Sequence, residues 1–226
     1  MGPHAQLALE IARFLHTDGD IAKIDFHLGI FEKRIHITGA KIADIGTKLQ
    51  AGEIRLDVGV NLSEGAHGAY DRYERKFRFR SSMAFSKEEI EEWPQLQGSL
   101  FVTNAIARGL VVHEAVHAVM GWEGRRTVIL SDEAAAYLAE TLYHVGRGTY
   151  DTYLDSADDK AAHLRIAFRQ IVETARELIT EHQLITEHQL DSEPGRHLNW
   201  LQYRALRKAI HAHPEYRHLG PTERWD

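Results

Sequence analysis

Within AIARGLVVHEAVHAVM, residues 105–120, only Arg108, His113, Glu114 and His117 interrupt a run of aliphatic and small residues. A segment apolar on every side folds as a buried helix, because no face of it favours water. The helix then carries His113, Glu114 and His117 inside with it, where a charge without a partner is strongly unfavourable. Residues four apart share a helix face, so His113 and His117 can aim two imidazoles at one centre, with Glu114 at the edge of that face. Among the fifteen histidines, 113 and 117 form the only pair at this spacing. A metal ion is one partner that satisfies such a trio. A histidine pair satisfied by packing alone is the other.

The chain has no cysteine, so any zinc is held by His, Asp or Glu, and a catalytic zinc takes three protein ligands and leaves one position open. The segment SDEAAAYLAETLYH, residues 131–144, supplies candidates. On a helix Glu133, Tyr137, Glu140 and His144 fall on one polar stripe, with Ala135, Leu138, Leu142 and Val145 opposite. Such a helix can lie on the core and present a carboxylate to the histidine pair. The same stripe would equally suit a solvated helix face.

HEAVHA followed by DEAAAYLAE resembles the gluzincin group of zinc metallopeptidases, whose third ligand is a glutamate on the helix after the HExxH helix. EAAAYLA is also similar to the ImmA/IrrE-type peptidases. The resemblance covers about residues 101–145. It implies a zincin-like fold, His113, His117 and Glu133 as zinc ligands, and Glu114 as the catalytic base. The spacing from His117 to Glu133 is short for the group, which keeps Glu140 as an alternative third ligand and Glu123 after it. A metzincin reading fails on the residues, with Met120 where its glycine belongs and Glu123 where its third histidine belongs. An oxyanion or substrate contact is expected from Tyr137, His144 or a histidine of the C-terminal half such as His197.

The remaining pattern predicts an α+β fold, mostly helical, with a small antiparallel sheet over about residues 53–81 ahead of the HExxH helix. In EIRLDVGVNL, Ile54, Leu56, Val58 and Val60 alternate with Arg55, Asp57 and Gly59, as in a half-buried strand. RKFRFRSS is its expected partner, across a long loop SEGAHGAYDRYE. Residues 4–16 read as a helix, FHLGIFEKRIHIT as possible strand, and GAKIADIGTKLQAG as a helix through Ile42, Ile45 and Leu49. Ser86 and Glu89 form a capping box before KEEIEEW. The HExxH helix is expected to start at Ser99 or Thr103 and to end at Met120, with Gly121 and Gly124 as its exit. RRTVILS reads as a short strand and Ser131 as an N-cap. A single domain spans residues 1–226, with about 158–226 as a C-terminal helical part built on two amphipathic helices. The tandem ITEHQL, residues 179–190, reads as a helix extension.

The net charge is −6 and the 27 lysines and arginines are scattered, which argues against nucleic acid as a partner. No run of about eighteen apolar residues occurs, so a membrane span is not expected. The N-terminal segment is amphipathic and lacks a signal-peptide pattern, so a cytoplasmic location is the expectation. The leading functional expectation is a Zn2+-dependent hydrolase, first of all a peptidase acting on a peptide or protein substrate. The alternative is a catalytically silent zincin-fold module with a metal-binding regulatory or interaction role, and the third reading is a helical scaffold without metal.

Overall fold

The apolar segment read as a buried helix forms one, α4, over Ala105–Trp122, with twelve of its residues from Ala107 to Met120 buried. The structure is a computed structural model, which describes residues 3–29, 35–59, 62, 68–80, 104–124, 127–156, 162–181, 196–198, 201, 203–220 and 222–223. The Ser86–Glu89 capping box and its helix, and most of the ITEHQL tandem, lie outside these residues. Asn104 caps α4 by accepting from the Ala107 N–H through its side chain, which leaves Ser99 and Thr103 ahead of the helix. Gly121 is not an exit but part of the helix, packed where an added Cβ would lie 3.1 Å from the Tyr70 ring. The left-handed turn comes at Gly124, φ 64°.

The next helix, α5, runs over Ile129–Arg147. Its first residues are those read as a short strand, and its N-cap is Val128, not Ser131. Instead of a side-chain cap, the Ile129 N–H donates to the Glu223 carbonyl 2.9 Å away, so a distant stretch of chain satisfies one of the free N–H groups at the helix start. From Ile129 to His144 every residue except Tyr137 is buried. The polar stripe of α5 therefore faces protein and not solvent.

Around this pair the described residues place α1 (Pro3–Thr17) against α3 (Gly39–Gln50), with the short α2 (Gly19–Ala22) between them in sequence. Two three-stranded sheets lie beside them. In the first, β1 (Asp25–Leu28) lies between β2 (Ile35–Thr38), antiparallel, and β6 (Arg196–Leu198), parallel. Phe26, Leu28, Ile35 and Ile37 point into the core, and a one-residue slip would turn all four to water, so the core pins the register. After β6 the chain forms α8 (Arg204–Ala212).

The second sheet has the order β3 (Arg55–Val58), β5 (Lys76–Phe79), β4 (Gly68–Asp71). EIRLDV and KFRF do pair, but in parallel, which corrects the expectation of an antiparallel pair. The antiparallel partner of β5 is β4, from a stretch read as loop. The hairpin between them carries no glycine; Asp71 Oδ1 instead accepts from the N–H groups of Tyr73 and Glu74 at 3.0 and 2.9 Å, and Arg75 takes the left-handed conformation, φ 49°. This aspartate-led turn holds the chain reversal that glycine would otherwise mark. β4 packs on α4, and α5 is further covered by α6 (Tyr150–Asp155), α7 (Ala162–Glu181) and α8. Among the described residues no helix is long and apolar enough to cross a membrane.

Candidate metal centre

His117 meets Asp132 and Glu133 near the start of α5, and His113 meets Glu133 and, two turns on, Glu140. His113 Nε2 lies 3.5 Å from Glu133 Oε2, and His117 Nε2 lies 3.6 Å from Glu133 Oε1. Two ligands about 2.0–2.2 Å from one tetrahedral zinc are roughly 3.3–3.6 Å apart. The three side chains are thus spaced as ligands of a single ion, and their ligand atoms all fall within 4.8 Å of one another. This buried His113, His117, Glu133 cluster can hold a metal ion.

The other imidazole nitrogens are held from behind. His113 Nδ1 is 3.0 Å from Glu140 Oε2, and His117 Nδ1 is 3.5 Å from Asp132 Oδ2. Asp132 is fully buried and also paired to the Arg72 guanidinium from the β4–β5 turn. Carboxylates behind both rings would fix the tautomer that turns each Nε2 toward a bound ion. Glu140 therefore sits on the Nδ1 side of His113, while Glu123 is exposed at the end of α4 with Lys41 Nζ 2.7 Å from its carboxylate. Asp132, Arg72 and Tyr216 were not singled out from the sequence. Tyr216 donates from its hydroxyl to Glu133 Oε2 at 3.1 Å, and burial, then the Glu133 charge, raises its pKa well above that of a free phenol, so it keeps the proton it donates.

His113, Glu114, His117, Asp132, Glu133 and Glu140 are each at most 8% exposed. Burial works against charging the imidazoles, but Glu133 and Glu140 outweigh it for His113, held at about 9, and Glu133 and Asp132 outweigh it for His117, also held high. Burial likewise opposes ionising Glu133, yet the two imidazoles hold it below the usual carboxylate range. One divalent ion in place of the two imidazole protons leaves the net charge of the cluster unchanged, so the donor set matches such an ion electrostatically as well as in spacing.

Glu114 differs from its neighbours. Its Oε2 is buried and has no hydrogen-bond partner among the described residues, and burial, only partly offset by His117 and His113, raises its pKa. Gly68, at the start of β4, runs so close that an added Cβ would lie 3.1 Å from Glu114 Oε1.

Of the other residues expected here, Tyr137 sets its ring edge-on to His113, centroids 4.7 Å apart. His144 points away into the core: Nδ1 is 2.9 Å from Thr149 Oγ1 and its ring stacks on Tyr153 at 4.1 Å. Burial pushes its pKa down to about 4, so it is neutral at physiological pH. His197 lies on β6, in register with His27 of β1. A side chain at Gly109 would run into His144 Nε2. Gly109→Ala should consequently cost about 1–3 kcal/mol, as overpacking of a closed core does, read as a lowered thermal midpoint; an unchanged midpoint would mean His144 is free to move aside.

Compared with known proteins, the chain matches no family model, no curated protein and no solved structure.

Proposed function

We propose that the protein is a zinc-dependent hydrolase of zincin-like fold, acting on peptide bonds. The observation that carries this reading is the convergence of three ligand-spaced atoms, from His113, His117 and Glu133, beside a buried carboxylate, Glu114, whose Oε2 has no hydrogen-bond partner among the described residues. When bound, zinc supplies a Lewis acid that lowers the pKa of a water toward neutrality. Glu114 would take up a proton at Oε2 and pass it to the leaving amine, the work of a general base and then acid. Its raised pKa suits it to both halves, since a carboxylate nearer neutrality takes up and gives back a proton more evenly. Tyr216 and Tyr137 stay protonated, Tyr216 through burial and the Glu133 charge, Tyr137 through burial and the charges of Glu133 and Glu140. The Tyr137 hydroxyl can donate to a developing oxyanion, whereas that of Tyr216 is engaged by Glu133 Oε2.

A peptide substrate is supported by β4, the outer strand of its sheet among the described strands, whose first residue runs against Glu114. An outer strand offers backbone N–H and C=O groups to an extended chain. The test is a search for new N-termini in a peptide library incubated with zinc-loaded protein, chelator-stripped protein and the Glu114→Gln variant. Cleavage by the first alone supports the reading; cleavage by none, with zinc bound, overturns it in favour of a metal-binding module without turnover.

Zinc and protons compete for the same imidazoles, which gives a pH dependence of fixed sign. His113 keeps its proton up to about pH 9 in the metal-free protein, so apparent zinc affinity should climb as pH rises from 6.5 toward 9, with protons released on binding. The stability of the metal-free protein should run the other way. The imidazolium contribution is full below the ordinary histidine value of 6.5 and is lost as pH rises through about 9. Calorimetric titration in buffers of different ionisation enthalpy measures the proton release, and an affinity flat across this window would contradict the coupling.

A further inference from the structure

We infer that Asp25, His27 and His36 form a second metal site, on the exposed face of the β1–β2 ribbon and separate from the helix pair. His27 and His36 are direct cross-strand partners, and Asp25 precedes His27 by two residues. Alternation along a strand puts residues two apart on the same face, so all three share the face opposite buried Phe26, Leu28, Ile35 and Ile37. The imidazoles stack with centroids 3.7 Å apart and planes within 16° of parallel. Asp25 Oδ1 lies 2.9 Å from His36 Nε2, and one ligand atom from each of the three falls within 4.8 Å of the others.

Two features separate this trio from an ordinary surface ion pair. The scaffold is rigid where it matters, because the buried face fixes the strand register and hence the spacing of the three. Histidine also recurs along the sheet: β6, returning from far along the chain, sets His197 at the register position beside His27. Two imidazoles on adjoining strands, His27 and His36, suit a cation that accepts nitrogen donors. Two imidazoles and one carboxylate select late first-row divalent ions such as Zn2+, Ni2+ or Cu2+ over Ca2+ and Mg2+, which require oxygen. Asp25 and His36 are half-exposed, their side chains 40% and 34% accessible, which leaves them room to turn their ligand atoms toward an ion as the imidazole stack opens. Such an ion ties β1 to β2 across residues 29–34.

The experiment is zinc stoichiometry in competition with a chelating dye, with Mg2+ as the control ion. Competition is required because fifteen histidines offer weak sites elsewhere. The full chain should bind two equivalents of Zn2+, and His36→Ala and Asp25→Asn should each bind one. His113→Ala/His117→Ala should retain one equivalent, which His36→Ala added to it then removes. Both β-ribbon positions are half-exposed, so these variants should keep the parent's far-ultraviolet circular dichroism; if the helix double variant does not fold, the parent and His36→Ala measure the same quantity. A parent that binds a single equivalent, lost with His117→Ala and unchanged by His36→Ala, overturns the second site while leaving the hydrolase reading intact. A single equivalent lost with His36→Ala and kept by His117→Ala does the reverse.

Discussion

Glu114→Gln should abolish hydrolysis while the protein keeps its zinc. A positioned general base contributes about 10²–10⁴-fold to rate, and glutamine preserves the size and reach of the side chain while removing its basicity. The cluster that could hold an ion consists of His113, His117 and Glu133, and the substitution leaves these three side chains unchanged. Stability gives an independent readout. Burial raises the pKa of Glu114, so ionising it costs more in the folded state than in the unfolded chain, and at neutral pH the carboxylate opposes folding. The uncharged amide lifts that penalty, and the thermal midpoint of the metal-free variant should equal or exceed that of the parent. Zinc content, midpoint and turnover on one sample decide the matter. Zinc loss in the variant would make Glu114 a ligand or a support of the ligands, and retained turnover would remove it from the chemistry.

The centre of this molecule was legible because its pattern is local. The apolar context of His113 and His117, and the stripe of Glu133, Tyr137 and Glu140, follow from helical periodicity within a few turns, and the two helices bring these residues together. His144 continues the same stripe, yet it is turned to Thr149 and Tyr153, because α6 folds back over the end of α5. What the sequence did not reveal depends on distant chain. Asp132 reads as one more acidic residue at a helix start until Arg72, sixty positions away, is set beside it. Tyr216 reaches Glu133 from a segment after α8. The start of α5 was misread because its first N–H group is satisfied by the Glu223 carbonyl and not by the expected cap at Ser131. β4 was missed since Gly68 and Ala69 have weak strand preference and gain their place only by pairing with Arg78 and Phe79. The parallel match of β3 to β5 could not be read from alternation, which gives the face of a strand but not its direction.

Glu133 and Glu140, one helical stripe and two turns apart, should separate sharply on mutation, although both were open as third ligand from sequence. Glu133 presents both oxygens toward the Nε2 atoms, at 3.5 and 3.6 Å, where an ion bound by both histidines must lie. Glu140 contacts Nδ1 of His113, the nitrogen turned away from that ion. Glu133→Ala should therefore remove stoichiometric zinc. It also deletes the main buried counter-charge of both imidazoles, and breaking a buried pair by removing one partner costs about 3–5 kcal/mol. Part of that cost is avoided as the histidines give up their protons, so the loss should be greatest below pH 6.5, where the unfolded imidazoles are charged and the folded pair lacks its partner. Glu140→Gln should keep zinc, with affinity weakened about 10–100-fold as for other carboxylates behind a ligating histidine, because the amide oxygen can still accept from Nδ1 without its full charge. Metal content after dialysis, followed by competition titration on whichever variant retains zinc, reads both. Zinc retained by Glu133→Ala and lost by Glu140→Gln would exchange the two roles and require the His113 ring to flip, presenting Nδ1 to the ion; equal loss from both would mean that the carboxylates act as one charge cluster and that neither is a dedicated ligand.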